Sequence, residues 1–175
     1  MIIPLWRRAA IALVSLTLGR FLFAGQVADA LVTRGDDAAR GADPSAAVRY
    51  YRRALAFDAH SGSAADRLAF ALDLRRTPGD ARAAVDVASA ALLGRPHDPA
   101  LLADRAWAEE TLRRWSSAEH DFARAATAGR DPRYAHLAAR IALAHGRRRD
   151  AAALFHQALG YDRHFEPARA ALAQL

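Results

Sequence analysis

Small and apolar residues recur along the chain at a spacing typical of one helix face. Each set has a small residue, a marked residue four positions later and an alanine seven positions after the first. Because residues at i, i+4 and i+7 share one face of a helix, each set predicts a helix that buries a narrow stripe. Alanines allow neighbouring helices to approach closely, and in three sets an aromatic ring fills the remaining space. The four sets are Ala47/Tyr51/Ala54, Ala84/Ala88/Ala91, Ala118/Phe122/Ala125 and Ala151/Phe155/Ala158.

The first members of these sets are separated by 37, 34 and 33 residues. A period in the low thirties is typical of stacked helix pairs. The longest interval reflects the link at residues 75–80, which is longer than its counterparts. Helices are predicted at residues 26–39, 44–58, 63–74, 80–93, 99–113, 115–128, 132–145 and 149–160, with a capping helix at 166–175.

Aspartate-proline pairs mark the predicted helix starts. In Asp43-Pro44, Asp98-Pro99 and Asp131-Pro132, the aspartate can cap the helix and the proline fits its first turn. Gly94 and Gly146 mark predicted helix ends. The predicted helix starts and ends therefore agree with the repeat period.

The pattern resembles the tetratricopeptide repeat (TPR) family over residues 26–175. Beyond the four sets, Pro96 and Gly146 lie where that family places a helix-closing proline and a turn. The first helices match less closely, through Leu31/Gly35, Leu68/Ala69/Leu72, Leu102/Ala106 and the alanines 135, 138, 139 and 142. The resemblance implies an all-α, TPR-like α-solenoid of about four helix pairs plus a C-terminal capping helix.

The first 25 residues are directed toward a membrane. Arg7 and Arg8 precede the apolar run 9–19, Arg20 interrupts it, and residues 21–25 resume it. We interpret residues 1–25 as an N-terminal transmembrane anchor, since a span needs about 20 residues. Two alternatives stay open. One is a signal peptide cleaved at Ala28-Asp29-Ala30, and the other is a helix lying in the membrane interface.

The charges around this segment predict its orientation. Arg7 and Arg8 favour a cytoplasmic N-terminus, which places the repeats on the periplasmic or extracytoplasmic side of a single-pass protein. An arginine within a span normally has a partner, so Arg20 is a candidate intramembrane contact with another subunit. Alternatively, Arg20 reaches the headgroups beyond the span.

The composition excludes several chemistries. The chain has 175 residues, no cysteine and a net charge of +6. Disulfides, thiolate zinc sites and cysteine nucleophiles are therefore excluded. The seven histidines lack metal-ligand spacing, and no glycine-rich phosphate loop or nucleophile elbow occurs. We therefore expect no enzyme activity, no cofactor and no metal site.

The TPR resemblance implies a concave face formed by the first helix of each pair. Phe70 and Trp107 fall at matching places in adjacent repeats and can seat a helix or an extended peptide. Alternatively, both rings pack as core. Arg133, His136 and Arg140 can meet a carboxylate, or they form a solvated helix face. The predicted protein-binding groove comprises Asp66, Phe70, Asp73, Asp104, Trp107, Glu110, Arg133, His136 and Arg140.

Arginines recur at the turn inside each helix pair. Stacking would align them as a basic ridge that can meet anionic lipid, nucleic acid or an acidic protein. Nucleic acid is disfavoured because stacking aromatics are scarce there. Alternatively, these residues only solubilise the turns. The ridge comprises Arg75, Arg76, Arg113, Arg114, Arg147, Arg148 and Arg149.

An anchor joined to a groove without catalytic groups must act by positioning another molecule. The sequence therefore predicts a membrane-tethered TPR scaffold, an accessory or assembly subunit of a larger membrane complex. Its partners would be protein subunits, with membrane lipid around the N-terminal helix. The alternatives are an exported soluble TPR adaptor released by signal-peptide cleavage, and an anionic lipid or nucleic-acid binder that uses the ridge.

Overall fold

The computed structural model describes the backbone of residues 5–175 and the side chains of residues 23–175. Within this part of the chain, all regular secondary structure is helical. The helices are α1 (Leu5–Arg40), α2 (Pro44–Phe57), α3 (Gly62–Asp73), α4 (Pro78–Gly94), α5 (Pro99–Thr111), α6 (Trp115–Gly129), α7 (Pro132–Ala144), α8 (Arg148–Tyr161) and α9 (Glu166–Leu172). The first predicted repeat helix is thus the C-terminal part of the long helix α1.

The aspartate-proline pairs start helices as predicted. Asp43 Oδ1 accepts a hydrogen bond from the Ala46 amide at 2.8 Å, and Pro44 occupies the first turn of α2. Asp98 accepts from two amides at the start of α5, and Asp131 accepts from the Arg133 amide at the start of α7. Each carboxylate satisfies amides that the helix itself leaves unpaired.

Helix α4 starts two residues before the predicted position 80. Thr77 Oγ1 accepts a hydrogen bond from the Asp80 amide at 3.1 Å and donates to the Asp80 carboxylate at 2.7 Å. Pro78 then fits the first turn. The prediction began this helix at residue 80, whereas the threonine before the proline caps it. Helices α5 and α9 also end earlier than predicted, at Thr111 and Leu172.

The chain turns into the left-handed region after several helices. Gly146 has a φ of +75° after α7, and the arginines after α3 and α5 take the same conformation, Arg76 at +52° and Arg113 at +59°. After α5, the Arg114 amide donates to the Glu109 carbonyl and closes the turn at 2.8 Å. Such a turn usually carries glycine. Of these three positions only Gly146 is a glycine, so only there does the residue type itself indicate the turn.

The chain forms two compact units, residues 1–64 and 65–175, which we describe separately. In the first unit, Ala47, Tyr51 and Ala54 of α2 are buried, together with Leu31 of α1. The Tyr51 hydroxyl donates to Asp36 Oδ1 at 2.8 Å and fixes the ring against α1. The ring lies directly over Gly35, where an added Cβ would approach Tyr51 Cδ1 to 2.6 Å. Gly35 therefore permits the close approach of α1 and α2.

We expect Gly35→Ala to destabilise the protein. The new methyl overlaps a buried ring, and overpacking costs about 1–3 kcal/mol, which exceeds the helix-propensity gain of up to about 1 kcal/mol. Gly25→Ala in the same helix is the matched control, because an added Cβ there meets nothing within 4 Å. Urea denaturation followed by circular dichroism should show a lower midpoint for Gly35→Ala and an unchanged or higher one for Gly25→Ala. Equal midpoints for the two variants would contradict the packing argument.

In the second unit, the predicted stripes of α4, α6 and α8 lie inside. All of their members are buried except Ala91, which is half-buried. The Phe155 side chain on α8 packs in a cluster with alanines of α6 and α7 and with Ala168 of α9. Helix α9 therefore covers the end of the last helix pair, as a terminal cap of a solenoid must.

A buried ion pair joins three helices of this unit. The Arg105 guanidinium on α5 donates two hydrogen bonds to the Asp121 carboxylate on α6, from Nε at 2.5 Å and from Nη2 at 2.9 Å. Arg105 Nη1 also donates to Ser89 Oγ on α4 at 3.1 Å. Asp121 is only 2% exposed. The sequence analysis did not anticipate this pair.

Candidate protein-binding groove

The first stripe of the predicted groove lies on α3. Asp66, Phe70 and Asp73 are spaced at i, i+4 and i+7, so they share one helix face. Phe70 is 47% exposed, Asp66 is half-buried, and Asp73 is only 5% exposed. The ring therefore remains available at the surface, with a carboxylate one turn away on either side. The alternative that Phe70 packs as core does not fit this exposure.

The second stripe lies on α5, where Asp104, Trp107 and Glu110 follow one another at intervals of three. Asp104 is 4% exposed, whereas Trp107 and Glu110 are half-buried. The Trp107 ring meets Phe122 edge-on with centroids 5.7 Å apart, and meets Tyr134 similarly at 6.1 Å. Trp107 thus belongs partly to the core and partly to the groove.

The third stripe lies on α7. Arg133 and Arg140 are exposed, and Arg133 pairs with Asp131 at 2.6 Å. The His136 ring packs between Phe155 and Phe165, with centroid distances of 5.4 and 5.8 Å. Burial, followed by the positive charge of Arg140, lowers the pKa of His136. His136 is therefore a neutral wall of the groove, and it does not act with the two arginines as a cationic group.

Electrostatic and ring contacts bring the three stripes together. The negative charges of Asp66 and Asp73 on α3 act on Asp104 of α5. The ring of Trp107 on α5 touches Tyr134 on α7. Glu110 of α5 and Arg140 of α7 line a common pocket of about 300 Å³ together with Trp115 and neighbouring α7 residues. A ring contact and a shared pocket therefore join the α5 and α7 stripes, whereas charge alone links the α3 stripe to α5.

Carboxyl groups dominate the α3 and α5 part of this surface. Burial, then the charges of Asp66, Asp73 and Asp98, raises the pKa of Asp104 to about 8. Burial also raises the pKa of Asp66, Asp73 and Glu110, and nearby arginine charge opposes each of these three shifts. Among the described atoms, neither Asp104 Oδ2 nor Asp73 Oδ1 has a hydrogen-bond partner, although both are buried. Unpaired buried carboxyl oxygens are costly and point to a functional site.

An apolar pocket of about 280 Å³ lies between α5, α7 and the start of α9. Trp107 and His136 were predicted to line the groove, but the aromatic walls contributed by other residues were not. Phe165 precedes the capping helix, and Tyr134 follows Arg133 within α7. Tyr134 could have been predicted, because it lies three residues after Asp131 and on the same helix as His136. No local sequence signal identifies Phe165. The pocket is lined by Trp107, Arg133, Tyr134, His136, Leu137, Phe165 and Pro167.

Solved structures share this arrangement of helices. The MamA structure from Desulfovibrio magneticus RS-1 superposes with a TM-score of 0.69 at 16% identity, over 79% of this chain and 77% of that one. A tetratricopeptide repeat protein from Parabacteroides merdae gives a TM-score of 0.69 at 17% identity, over 83% of this chain and 57% of its own. PilF of Pseudomonas aeruginosa gives 0.67 at 18%, over 83% of this chain and 65% of its own.

The chain has a TPR-like solenoid fold. By sequence, it matches no protein-family model and no curated protein. The structural likeness therefore establishes the fold alone. Partner and mechanism must come from the residues of this chain, because one fold serves many functions.

The arginines of the predicted ridge lie at the turns of the TPR helix pairs. Arg75 pairs with Asp80 across the link between α3 and α4 at 3.0 Å. Arg147 pairs with Glu119 of α6 and with Asp150 of its own helix. The remaining five are exposed. Two members therefore hold turns in place, and the ridge as a binding surface stays a prediction.

Other predicted features fall on the N-terminal segment. The side chains of residues 1–22, which include Arg20 and most of the predicted anchor, lie outside the described residues. Over the part of the chain that could be searched, no helix is both long enough and apolar enough to cross a membrane. Over the same part, no cluster of three histidine or acidic side chains is arranged to hold a metal ion.

Proposed function

We propose that this chain is a membrane-tethered TPR scaffold whose groove binds a segment of a partner protein. It serves as an accessory or assembly subunit of a larger membrane complex and contributes no catalytic step. Residues 1–25 are the anchor, and Arg7 and Arg8 keep the N-terminus in the cytoplasm, so that the repeats lie on the opposite side. The anchor holds the groove near the membrane, which raises the effective concentration of a membrane-bound partner.

The exposed ring of Phe70 is the observation that carries this proposal. A half-exposed aromatic ring between two carboxylates, beside a helix that presents Trp107, has the composition of a binding hot spot. The carboxylates one turn away on either side distinguish this ring from a scattered exposed apolar side chain such as Leu93. A partner segment that covers Phe70 would remove apolar area from water and desolvate the flanking carboxyl groups.

Site-specific photocrosslinking in cells tests both parts of the proposal. A benzophenone amino acid replaces Phe70 in the full chain, and the same residue replaces Leu93 as a control. Leu93 is an exposed apolar residue on α4, outside the groove. We expect a discrete protein adduct at position 70 but not at position 93, in the detergent-extracted membrane fraction, on a chain whose intact mass retains Met1.

The possible outcomes separate the parts of the proposal. Equal adducts at both positions, or none at either, would overturn the groove as the binding surface. A chain that begins at Leu31 and remains soluble would overturn the anchor and favour an exported adaptor. An adduct specific to position 70 on that soluble chain would retain the groove and remove only the tether.

A further inference from the structure

The predicted groove is rich in carboxyl groups, although the whole protein has a positive net charge. The chain has 25 arginines against 19 acidic residues. Yet the α3 and α5 stripes present four carboxyl groups, at Asp66, Asp73, Asp104 and Glu110, around Phe70 and Trp107. Carboxyl groups placed around apolar side chains on a basic protein favour a partner segment that carries positive charge.

The buried carboxyl of Asp104 is central to this feature. Its side chain is 4% exposed, and no donor among the described residues reaches Oδ2. Asp73 is similarly buried: its side chain is 5% exposed, and Oδ1 has no hydrogen-bond partner among the described residues. Ionised carboxylates so placed repel one another. The charge of Arg76 opposes this at Asp73, whereas the charges that act on Asp104 are those of Asp66, Asp73 and Asp98. Asp121, by contrast, is paired directly with Arg105.

We propose that the groove recognises a protein segment in which a lysine or arginine lies close to an apolar side chain. The cationic group would bind beside the half-buried carboxyl of Asp66, where its charge also acts on the buried carboxyl of Asp104. The apolar side chain would fill the adjoining pocket beside Trp107 and Phe165. This inference rests on the proposed function and specifies the chemistry of the partner.

The spacing of the two subsites predicts the spacing of the ligand. Asp104 and Trp107 lie three residues apart on one helix, so their side chains are about 5–6 Å apart. An extended peptide places alternate side chains on one face, about 6.6–6.8 Å apart. The two subsites therefore match a basic residue and an apolar residue separated by one position. A segment bound in this way would present the intervening side chain to solvent.

The arginines of the α7 stripe limit where a bound ligand can carry a second positive charge. Arg133 is exposed at the apolar pocket, and Arg140 is exposed beside Glu110 in the neighbouring pocket. A second cation beyond the apolar side chain would meet these arginines, whereas an acidic group there would be favoured. The expected ligand therefore has its basic residue on one side of the apolar anchor only. A uniformly basic segment, such as a nucleic-acid-binding tail, fits less well.

A displayed library of random decapeptides tests the inference without knowledge of the natural partner. The full chain in detergent is the bait, and peptides that also bind the Phe70→Ala variant are discarded. We expect the remaining binders to be enriched in a basic residue two positions from a leucine or phenylalanine. Replacing that arginine by citrulline, which keeps the shape but removes the charge, should weaken binding about tenfold or more.

Two variants of the protein complete the test. Asp104→Asn replaces a carboxyl that a bound cation would ionise with an amide of the same shape that cannot ionise, and it should weaken the arginine peptide about tenfold while leaving the citrulline peptide unchanged. Asp66→Asn alters a half-buried carboxyl and should act in the same direction, so the result does not depend on one variant folding. Asp86→Asn, an exposed position on α4, is the control and should change neither affinity.

The failures are distinguishable. Binders that depend on Phe70 but show no basic enrichment, or tolerate citrulline, would overturn the charge inference and leave the groove intact. Binders enriched in aspartate or glutamate would overturn it in favour of the arginines of α7. A library that yields no binder dependent on Phe70 would overturn both the inference and the proposed groove.

Discussion

Replacing Asp121 by asparagine is expected to destabilise the second compact unit by about 3–5 kcal/mol. The substitution breaks a buried ion pair and leaves the positive charge of Arg105 without its counter-charge. The Asp121 carboxylate accepts two hydrogen bonds from Arg105, and Arg124 lies 3.6 Å from its other side. The asparagine keeps the volume but removes the charge. The Arg105 guanidinium would then remain partly buried without its counter-charge, with Ser89 Oγ and at most one amide oxygen of residue 121 as acceptors.

The matched control is Asp37→Asn. Asp37 forms an exposed ion pair with Arg40 at 2.6 Å within one turn of α1. Exposed pairs contribute little to stability, since solvent screens them and two long side chains must be immobilised. Urea denaturation should therefore show a large fall in midpoint for Asp121→Asn and almost none for Asp37→Asn. A small effect at Asp121 would mean that water reaches the Arg105 guanidinium and replaces the lost carboxylate.

This ion pair shows where sequence reasoning stops. The stripe on α6 predicted that Ala118, Phe122 and Ala125 are buried, and all three are. Asp121 lies beside Phe122 on the same helix, but a lone aspartate within a helix carries no signal of a partner 16 residues away on α5. Periodicity identifies a buried face. It does not identify which polar residue at the edge of that face will be enclosed by a neighbouring helix.

The helix starts were predictable for a local reason. An aspartate before a proline satisfies the first amides from within the same few residues, so Asp43, Asp98 and Asp131 could be assigned without any tertiary contact. The same rule extends to Thr77 before Pro78, which the prediction overlooked when it began the helix at residue 80. That error was avoidable, because the threonine is visible in the sequence.

The groove residues were placed on the right helices by register, but their burial was not predictable. Phe70 and Trp107 occupy matching positions, yet one is exposed at the surface and the other packs against Phe122 and Tyr134. The difference arises from what each adjacent helix presents. Tyr134 stands beside Trp107 and encloses it, and this depends on the packing of α5 against α7. Phe165 joins the pocket only because the chain returns before α9.

The second large effect concerns pH. Asp104→Asn is expected to stabilise the protein at neutral pH, an unusual direction for a buried substitution. The folded chain holds Asp104 at a pKa of about 8, whereas an unfolded aspartate ionises near pKa 3.9. The groups whose charges raise it are Asp66 and Asp73 on α3 and Asp98 at the start of α5. Between these two pKa values, the folded state binds a proton that the unfolded state has lost.

The sign of the pH dependence follows from this difference. Because the folded state binds more protons, the contribution of Asp104 to stability falls as pH rises from about 4 to about 8. Below pH 4 both states are protonated, and the wild type and the Asn variant should unfold alike. At pH 7.5 the variant, which cannot ionise, should be more stable by an amount on the order of 3 kcal/mol. Thermal unfolding at pH 4, 6 and 7.5 measures the divergence, with Asp86→Asn as the parallel control.

A stabilising change that also weakens binding would explain why the chain retains an unpaired buried carboxyl. Functional sites often contain groups that destabilise the folded state. Removing such a group commonly increases stability and reduces function. A cation that enters beside Asp104 would favour its ionised form, so binding should release a proton below pH 8 and strengthen as pH rises from 6 to 8. If Asp104→Asn instead lowers stability at pH 7.5, the carboxyl has a structural partner, and the groove would need another source of charge selectivity.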